Sequence, residues 1–190
     1  MSDSLIAKNR YIFPGRFQPF HNDHLQVIRQ ALVIARPIFI GIILNVVYEP
    51  NIATPFEFEA RRQNSPERSL FSAVERLEMI SQCLREELGR IDNPTYPLLL
   101  PRPEANWNVV ELMFPGKRTW IVPDSGEEFD QMKAGYFIAM GDDVLRVPVP
   151  SSTSGRELRD GIESDTHTWS THVPRAIAHY VRALRGDTHA

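Results

Sequence analysis

The stretch YIFPGRFQPFHNDHLQVIRQALVIARPIFIGIIL, residues 11–44, holds three patterns in succession. Tyr11 to Pro14 has the composition of a short strand. Beyond Gly15 the apolar residues Leu25, Ile28, Leu32 and Ala35 recur at helical spacing, and Pro37, which lacks the N–H a helix needs, predicts its end. Ile38 to Leu44 is an almost unbroken apolar run rich in isoleucine, as expected of a parallel strand covered on both faces. Strand, helix and strand make a βαβ unit.

The alternation continues downstream. Ser72 as N-cap, Glu75 at the capping-box position and Gly89 at the C-terminal end frame a helix carrying Val74, Leu77, Ile80, Leu84 and Leu88. Strands are expected over Tyr96–Leu100, Thr119–Val122 and Val144–Val149, with helices over Trp107–Phe114 and Glu127–Ala134 between them. Two helices, near Thr153–Glu163 and Val173–Leu184, close the chain. Asn45 to Ser69 is polar, contains Pro50, Pro55 and Pro66 and shows no period, which reads as a long loop and a candidate lid. With no internal repeat and no interdomain linker, residues 1–190 form a single domain with a core over about 10–165 and a C-terminal helix over about 171–185. The expected fold is α/β: a Rossmann-like open, mostly parallel sheet with helices on both faces and right-handed crossovers.

Composition narrows the function classes. A chain of 190 residues, 42% hydrophobic and 24% charged, has the balance of a soluble globular domain. The single Cys83 excludes a disulfide framework and a multi-cysteine zinc site, and its place in an amphipathic run suggests an apolar packing role. Met1 to Arg10 lacks the apolar stretch of a signal peptide, and no run approaches the roughly 18 apolar residues of a membrane span. The expectation is a cytoplasmic protein with no membrane partner. A net charge of -3 argues against a sequence-independent grip on nucleic acid, so any phosphate binding has to be local.

In parallel sheets ligands bind where strands end and helices begin, which directs attention to Gly15-Arg16-Phe17-Gln18-Pro19-Phe20-His21-Asn22-Asp23-His24. Gly15 lets the backbone turn and approach a ligand, Arg16 offers a forked donor for phosphate oxygens, and Pro19 stiffens the loop. His21 and His24 are three residues apart and share one face of a helix start, where free N–H groups and the dipole favour an anion. Imidazoles there can donate to a triphosphate and stabilise charge growing on a leaving pyrophosphate. A helical zinc site is the weaker reading, because His-x-x-His lacks the spacing and the glutamate of the helical metalloprotease motif. A second strand-to-helix junction reads Pro150-Ser151-Ser152-Thr153-Ser154-Gly155-Arg156, with hydroxyls to cap a helix and Arg156 one turn inside it.

The first of these segments resembles the HxGH nucleotidylyltransferases, and within them the archaeal-type nicotinamide-nucleotide adenylyltransferases. GRFQPFHNDH is similar to their phosphate-binding motif nearly residue for residue, with Asp23 where the family has glycine. Ser151, Thr153 and Arg156 match the spacing of the family's Ser-x-Thr-x-x-Arg motif. The resemblance covers roughly residues 10 to 185 and implies a nucleotidylyltransferase fold that joins ATP and nicotinamide mononucleotide into NAD with release of pyrophosphate. It implies ATP binding by Gly15, Arg16, Phe17, His21, His24, Ser151, Thr153 and Arg156, with Arg16, His21, His24 and Arg156 holding the reacting phosphates. Mg²⁺ would be bound through the phosphates rather than by protein side chains, and the protein would be a homo-oligomer. On the acceptor side, Trp107 is placed like an aromatic near the family's nicotinamide pocket, or else packs as core. Arg76, in a Glu-Arg pair similar to the family's, reaches a phosphate or lies on the helix surface. Two other readings stand: a relative that activates phosphopantetheine, a flavin mononucleotide or an alcohol phosphate with ATP or CTP, and a nucleotide-binding sensor without turnover.

Overall fold

Isoleucine-rich runs with no polar alternation become the centre of the sheet, because only a strand covered on both faces can bury every side chain. A computed structural model describes residues 10–44, 54–63, 69–89, 94–149 and 155–186. Five strands, β1 (Arg10–Gly15), β2 (Ile38–Ile43), β3 (Thr95–Leu100), β4 (Arg118–Asp124) and β5 (Asp143–Pro148), form one sheet in the order β3-β2-β1-β4-β5. Every pairing is parallel, with Ile12 of β1 opposite Phe39 of β2 on one side and Trp120 of β4 on the other.

Alternation along the strands divides the core between two faces. Phe13, Ile38, Ile40, Ile42 and Ile121 point to one cluster, which also holds Leu25 and Ile28 of α1 (Asn22–Ala31) and Met79, Ile80 and Cys83 of α3 (Ala73–Leu88). Leu158 and Ile162 of α6 (Gly155–Glu163) and Ile177 and Val181 of α7 (Arg175–Arg185) complete it. Their neighbours Ile12, Ile43, Trp120 and Val122 face the other way, onto Val110 of α4 (Trp107–Met113) and Ala134 and Phe137 of α5 (Glu128–Ala139). Cys83 is buried and unoxidised, as its apolar spacing suggests. Among the described residues no helix is long and apolar enough to cross a membrane.

The helix α3 begins as expected: Ser72 accepts from the Glu75 N–H, and the Glu75 carboxylate accepts from the Ser72 N–H. Three expectations change. α1 ends at Ala31 rather than near Pro37, and a turn over Leu32–Ile34 brings the chain back to bury Ala35. α5 runs on to Ala139, because Tyr136 and Phe137 continue its packed face beyond Ala134. Most consequential, the segment read as an unpatterned loop contains helix α2 (Pro55–Gln63). The Thr54 hydroxyl accepts from the Glu57 N–H while the Glu57 carboxylate accepts from the Thr54 N–H, so Thr54 caps the helix and Pro55 fills its first position, where no N–H is needed. A short 3-10 helix (His167–Thr171) also precedes α7.

In this order the chain winds from β1 outward to β3, then returns to β4 on the other side of β1. The crevice above the ends of β1 and β4 is the point where the winding reverses, the usual ligand position in such sheets.

Candidate active site

Gly15 ends β1 in that crevice, and the loop behind it is held from three directions. Arg76 of α3 is 1% exposed, and its Nη1 donates to the carbonyls of Arg16 (2.7 Å) and Ile43 (2.8 Å) while Nε donates to the Ser72 carbonyl. Burial lowers its pKa to about 10, so the guanidinium stays charged at neutral pH. The buried Gln18 amide makes two bonds to the backbone of Phe71, donating to its carbonyl and accepting from its N–H. From the far side, Arg159 of α6 donates to the Gln18 carbonyl at 3.1 Å. Arg76 is therefore not a surface residue; it ties the end of β2 and the start of α3 to the loop that follows β1.

Phe17 is held in the same loop by its own backbone and ring. It sits at φ 51°, a left-handed conformation that costs an L-residue about 1–2 kcal/mol, and its ring is buried. That ring explains the glycine before it, since a Cβ on Gly15 would lie 2.6 Å from the Phe17 ring. The side chain packs edge-on against His24 with centroids 4.9 Å apart, so it braces the histidine while Phe17 itself lines the large cleft.

His21 and His24 stand together at the start of α1, ring centroids 3.7 Å apart, on the wall of a cleft of about 1500 Å³. His24 Nδ1 accepts the backbone N–H of His21 (3.2 Å), which leaves Nε2–H as the donor of the neutral ring. Burial lowers the His24 pKa well below its ordinary value, helped by His21 and by Lys133. Burial likewise lowers His21 to about 4, against the opposing pull of Asp23, whose Oδ2 is 3.9 Å from His21 Nδ1. Asp23 thus lines the cleft rather than turning away from it, and the buried Nδ1 of His21 has no hydrogen-bond partner.

These shifts fix a pH dependence. In the unfolded chain each imidazole binds a proton near pH 6.5, whereas in the folded protein the proton binds only at much lower pH, so acid favours the unfolded state. The stability is complete above pH 6.5 and falls as the pH drops below it, for His21 down to about pH 4, at up to about 1.4 kcal/mol per unit for one histidine. We expect the urea midpoint to drop from pH 7.5 to pH 5.5, and His21→Gln to flatten that drop. An equal drop in the variant would contradict the assignment.

The cleft also receives Arg16 from the loop, Pro123 near the end of β4, Ser125 just beyond it, and Arg156 from the first turn of α6. The Arg156 side chain is 80% exposed, with Nε 3.9 Å from Asp160, so it stands at the rim. Ser151 and Thr153 lie outside the described residues. Ser125, in the Asp124-Ser125-Gly126 turn, donates to Asp130 (2.6 Å).

A second, smaller cavity of about 470 Å³ adjoins the first, sharing Gly15, Arg16, Phe129 and Lys133 with it. Its other walls are mostly apolar: Ile43, Phe56 and Ala60 of α2, Pro103 and Phe137, with the Glu104 carboxylate held by Arg102 at 2.6 Å. Trp107 lines neither cavity. It is half-buried against Trp120, Tyr136 and Phe137, with the Arg118 guanidinium 4.8 Å over its ring. Besides Phe137, the aromatics that face the smaller cavity are Phe56 and Phe129, stacked 5.8 Å apart. Neither was singled out in the sequence, nor was Lys133; the Thr54-Pro55-Phe56-Glu57 capping signal pointed to the helix that carries Phe56.

Residues 12–177 match the family described as cytidylyltransferase-like. Nicotinamide-nucleotide adenylyltransferase 1 of Sulfolobus acidocaldarius is 27% identical over 184 residues, covering 94% of this chain and 91% of that protein. Among solved structures, a bifunctional NMN adenylyltransferase/ADP ribose pyrophosphatase of Francisella tularensis superposes with TM-score 0.68 at 17% identity, covering 95% of this chain. The same enzyme complexed with AMP and a manganese ion superposes with TM-score 0.59 at 20% identity over 87% of this chain. The chain spans about half the length of the Francisella protein, 51% and 44% in the two structures.

Proposed function

The chain belongs to the cytidylyltransferase-like family, and from that premise we propose that it joins ATP and nicotinamide mononucleotide into NAD and pyrophosphate. The observation that carries this reading is the pair of neutral histidines on the wall of a large cleft, next to a smaller aromatic cavity that opens onto the same strand end. A triphosphate takes the large cleft, and a flat pyridine ring takes the space between Phe56, Phe129 and Pro103. The 5′-phosphate of the mononucleotide then meets the α-phosphorus beside Gly15 and Arg16, where the two cavities join.

In the reaction an oxygen of the acceptor phosphate attacks the α-phosphorus, the bond from that phosphorus to the bridging oxygen breaks, and pyrophosphate leaves with the electron pair. The attacking oxygen is already anionic, so no protein base is required, and the protein acts by positioning and by stabilising charge. His24 Nε2–H and the Arg16 guanidinium donate to phosphate oxygens, His21 lines the same wall, and Arg156 closes on the triphosphate from the rim. The residues fit a divalent cation only through the nucleotide: no cluster of three metal-binding side chains occurs among the described residues, and Asp23 is the carboxylate beside the histidines. When bound there, Mg²⁺ neutralises phosphate charge.

The acceptor is tested by comparing kcat/KM across nicotinamide mononucleotide, nicotinate mononucleotide, flavin mononucleotide, phosphopantetheine and glycerol phosphate, each with ATP and with CTP. We expect ATP and a pyridine mononucleotide to give the highest value. A larger value for phosphopantetheine or with CTP would move the chain to another branch of the family.

A further inference from the structure

Lys133 stands on α5, in none of the segments that resemble a nucleotide-binding motif, yet it lines both cavities. Apart from Arg16 it is the one charged side chain that does so among the described residues. Its placement is built rather than incidental. Nζ lies 3.0 Å from Asp130 Oδ1 and 5.1 Å from the centre of the Phe129 ring, and the side chain is only 14% exposed. Asp130 is itself fixed, with Oδ2 accepting from the Ser125 hydroxyl and its backbone carbonyl accepting from Arg146. An ammonium has three N–H donors, and Asp130 takes one. Two remain for ligand oxygens. Lys133 and His24 line the same cleft, one on α5 and the other on α1.

We propose that Lys133 is a catalytic residue that touches both substrates at the phosphorus under attack, with Asp130 as its positioning residue. The inference rests on the adenylyl-transfer reading given above. As the acceptor oxygen bonds to the α-phosphorus and pyrophosphate departs with its electron pair, negative charge gathers on the α-phosphoryl oxygens between the two cavities. A fixed cation at that junction stabilises the transition state more than either bound substrate alone. The neighbouring histidines stay neutral beside it, so Lys133 supplies charge there while His24 supplies a hydrogen bond.

The test measures kcat, both KM values, and the Kd of ATP and of nicotinamide mononucleotide separately by calorimetry. Lys133→Met keeps the length of the stem and Lys133→Gln serves if the first variant folds poorly. Either should lower kcat about 10- to 100-fold, the scale of one charge-assisted hydrogen bond, with each Kd within about threefold of wild type. Lys133→Arg should recover part of the loss, and Asp130→Asn should lower kcat with the same small change in Kd. A kcat within about threefold of wild type in both uncharged variants, whatever their melting temperature, would overturn the proposal and leave the adenylyl-transfer reading standing. Wild-type protein that transfers to no acceptor phosphate would overturn both.

Discussion

His24→Leu is expected to lower kcat by about 10²–10³. The leucine keeps most of the volume of the ring among Phe13, Phe17 and Phe20, with which His24 makes close ring contacts, but removes the Nε2–H donor. Alanine is the poorer test, since it would leave a hole in that nest and confuse stability with chemistry. The leucine also removes the acceptor for the His21 N–H, which should cost about 1–3 kcal/mol and be visible as a modest drop in Tm. The two effects separate in one experiment: kcat at saturating substrates, measured at a temperature where the variant is folded, reports the donor alone. Wild-type turnover in a folded His24→Leu protein would remove the histidine from the mechanism.

The second large effect concerns a residue that donates to three backbone carbonyls. Arg76→Met should destabilise the protein by about 2–6 kcal/mol, because the carbonyls of Arg16 and Ile43 lose a shared donor in a buried position and each such loss costs about 1–3 kcal/mol. For a chain of this size each kcal/mol moves Tm by about 2–4 °C, so the shift is easily measured. The same substitution should raise KM for ATP, since the loop that carries Arg16 is then held by Gln18 and Arg159 alone. Arg76→Lys should restore part of the stability, because one ammonium can still reach both carbonyls. Were Arg76 a phosphate ligand, Arg76→Met would raise KM and leave Tm unchanged.

These two residues show where sequence and structure part. The sheet was legible because β1 and β2 are written as apolar runs with a helix between them, a local pattern that packing reinforces. The loop between β1 and α1 was legible because Gly15, His21 and His24 lie within ten residues and the spacing of the two histidines alone sets them on one helix start. Trp107 and Arg76 could be named but not placed, since each had two physically reasonable environments. What the sequence did not supply was the partner distant along the chain: Tyr136 and Phe137 for the tryptophan, the Ile43 carbonyl for the arginine. Lys133 carried no signal, as a lysine in the middle of a helix is ordinary until the helix is laid beside the end of β1. The α2 helix is a different case. Its capping box was written in Thr54 and Glu57, but three prolines nearby drew the segment toward a loop, although Pro55 occupies the first helical position. Phe17 adds what motif reading does not give: its buried ring is the reason that position 15 is glycine.

The central claim is transfer of an adenylyl group to an acceptor phosphate, and following the label of α-³²P ATP through the wild-type protein with nicotinamide mononucleotide tests it most directly. The account predicts that the label passes into NAD in step with one unlabelled pyrophosphate per NAD formed. Label that stays in ATP while the protein binds ATP and the mononucleotide would contradict it, and would make the cleft a sensor of nucleotides rather than a site of turnover.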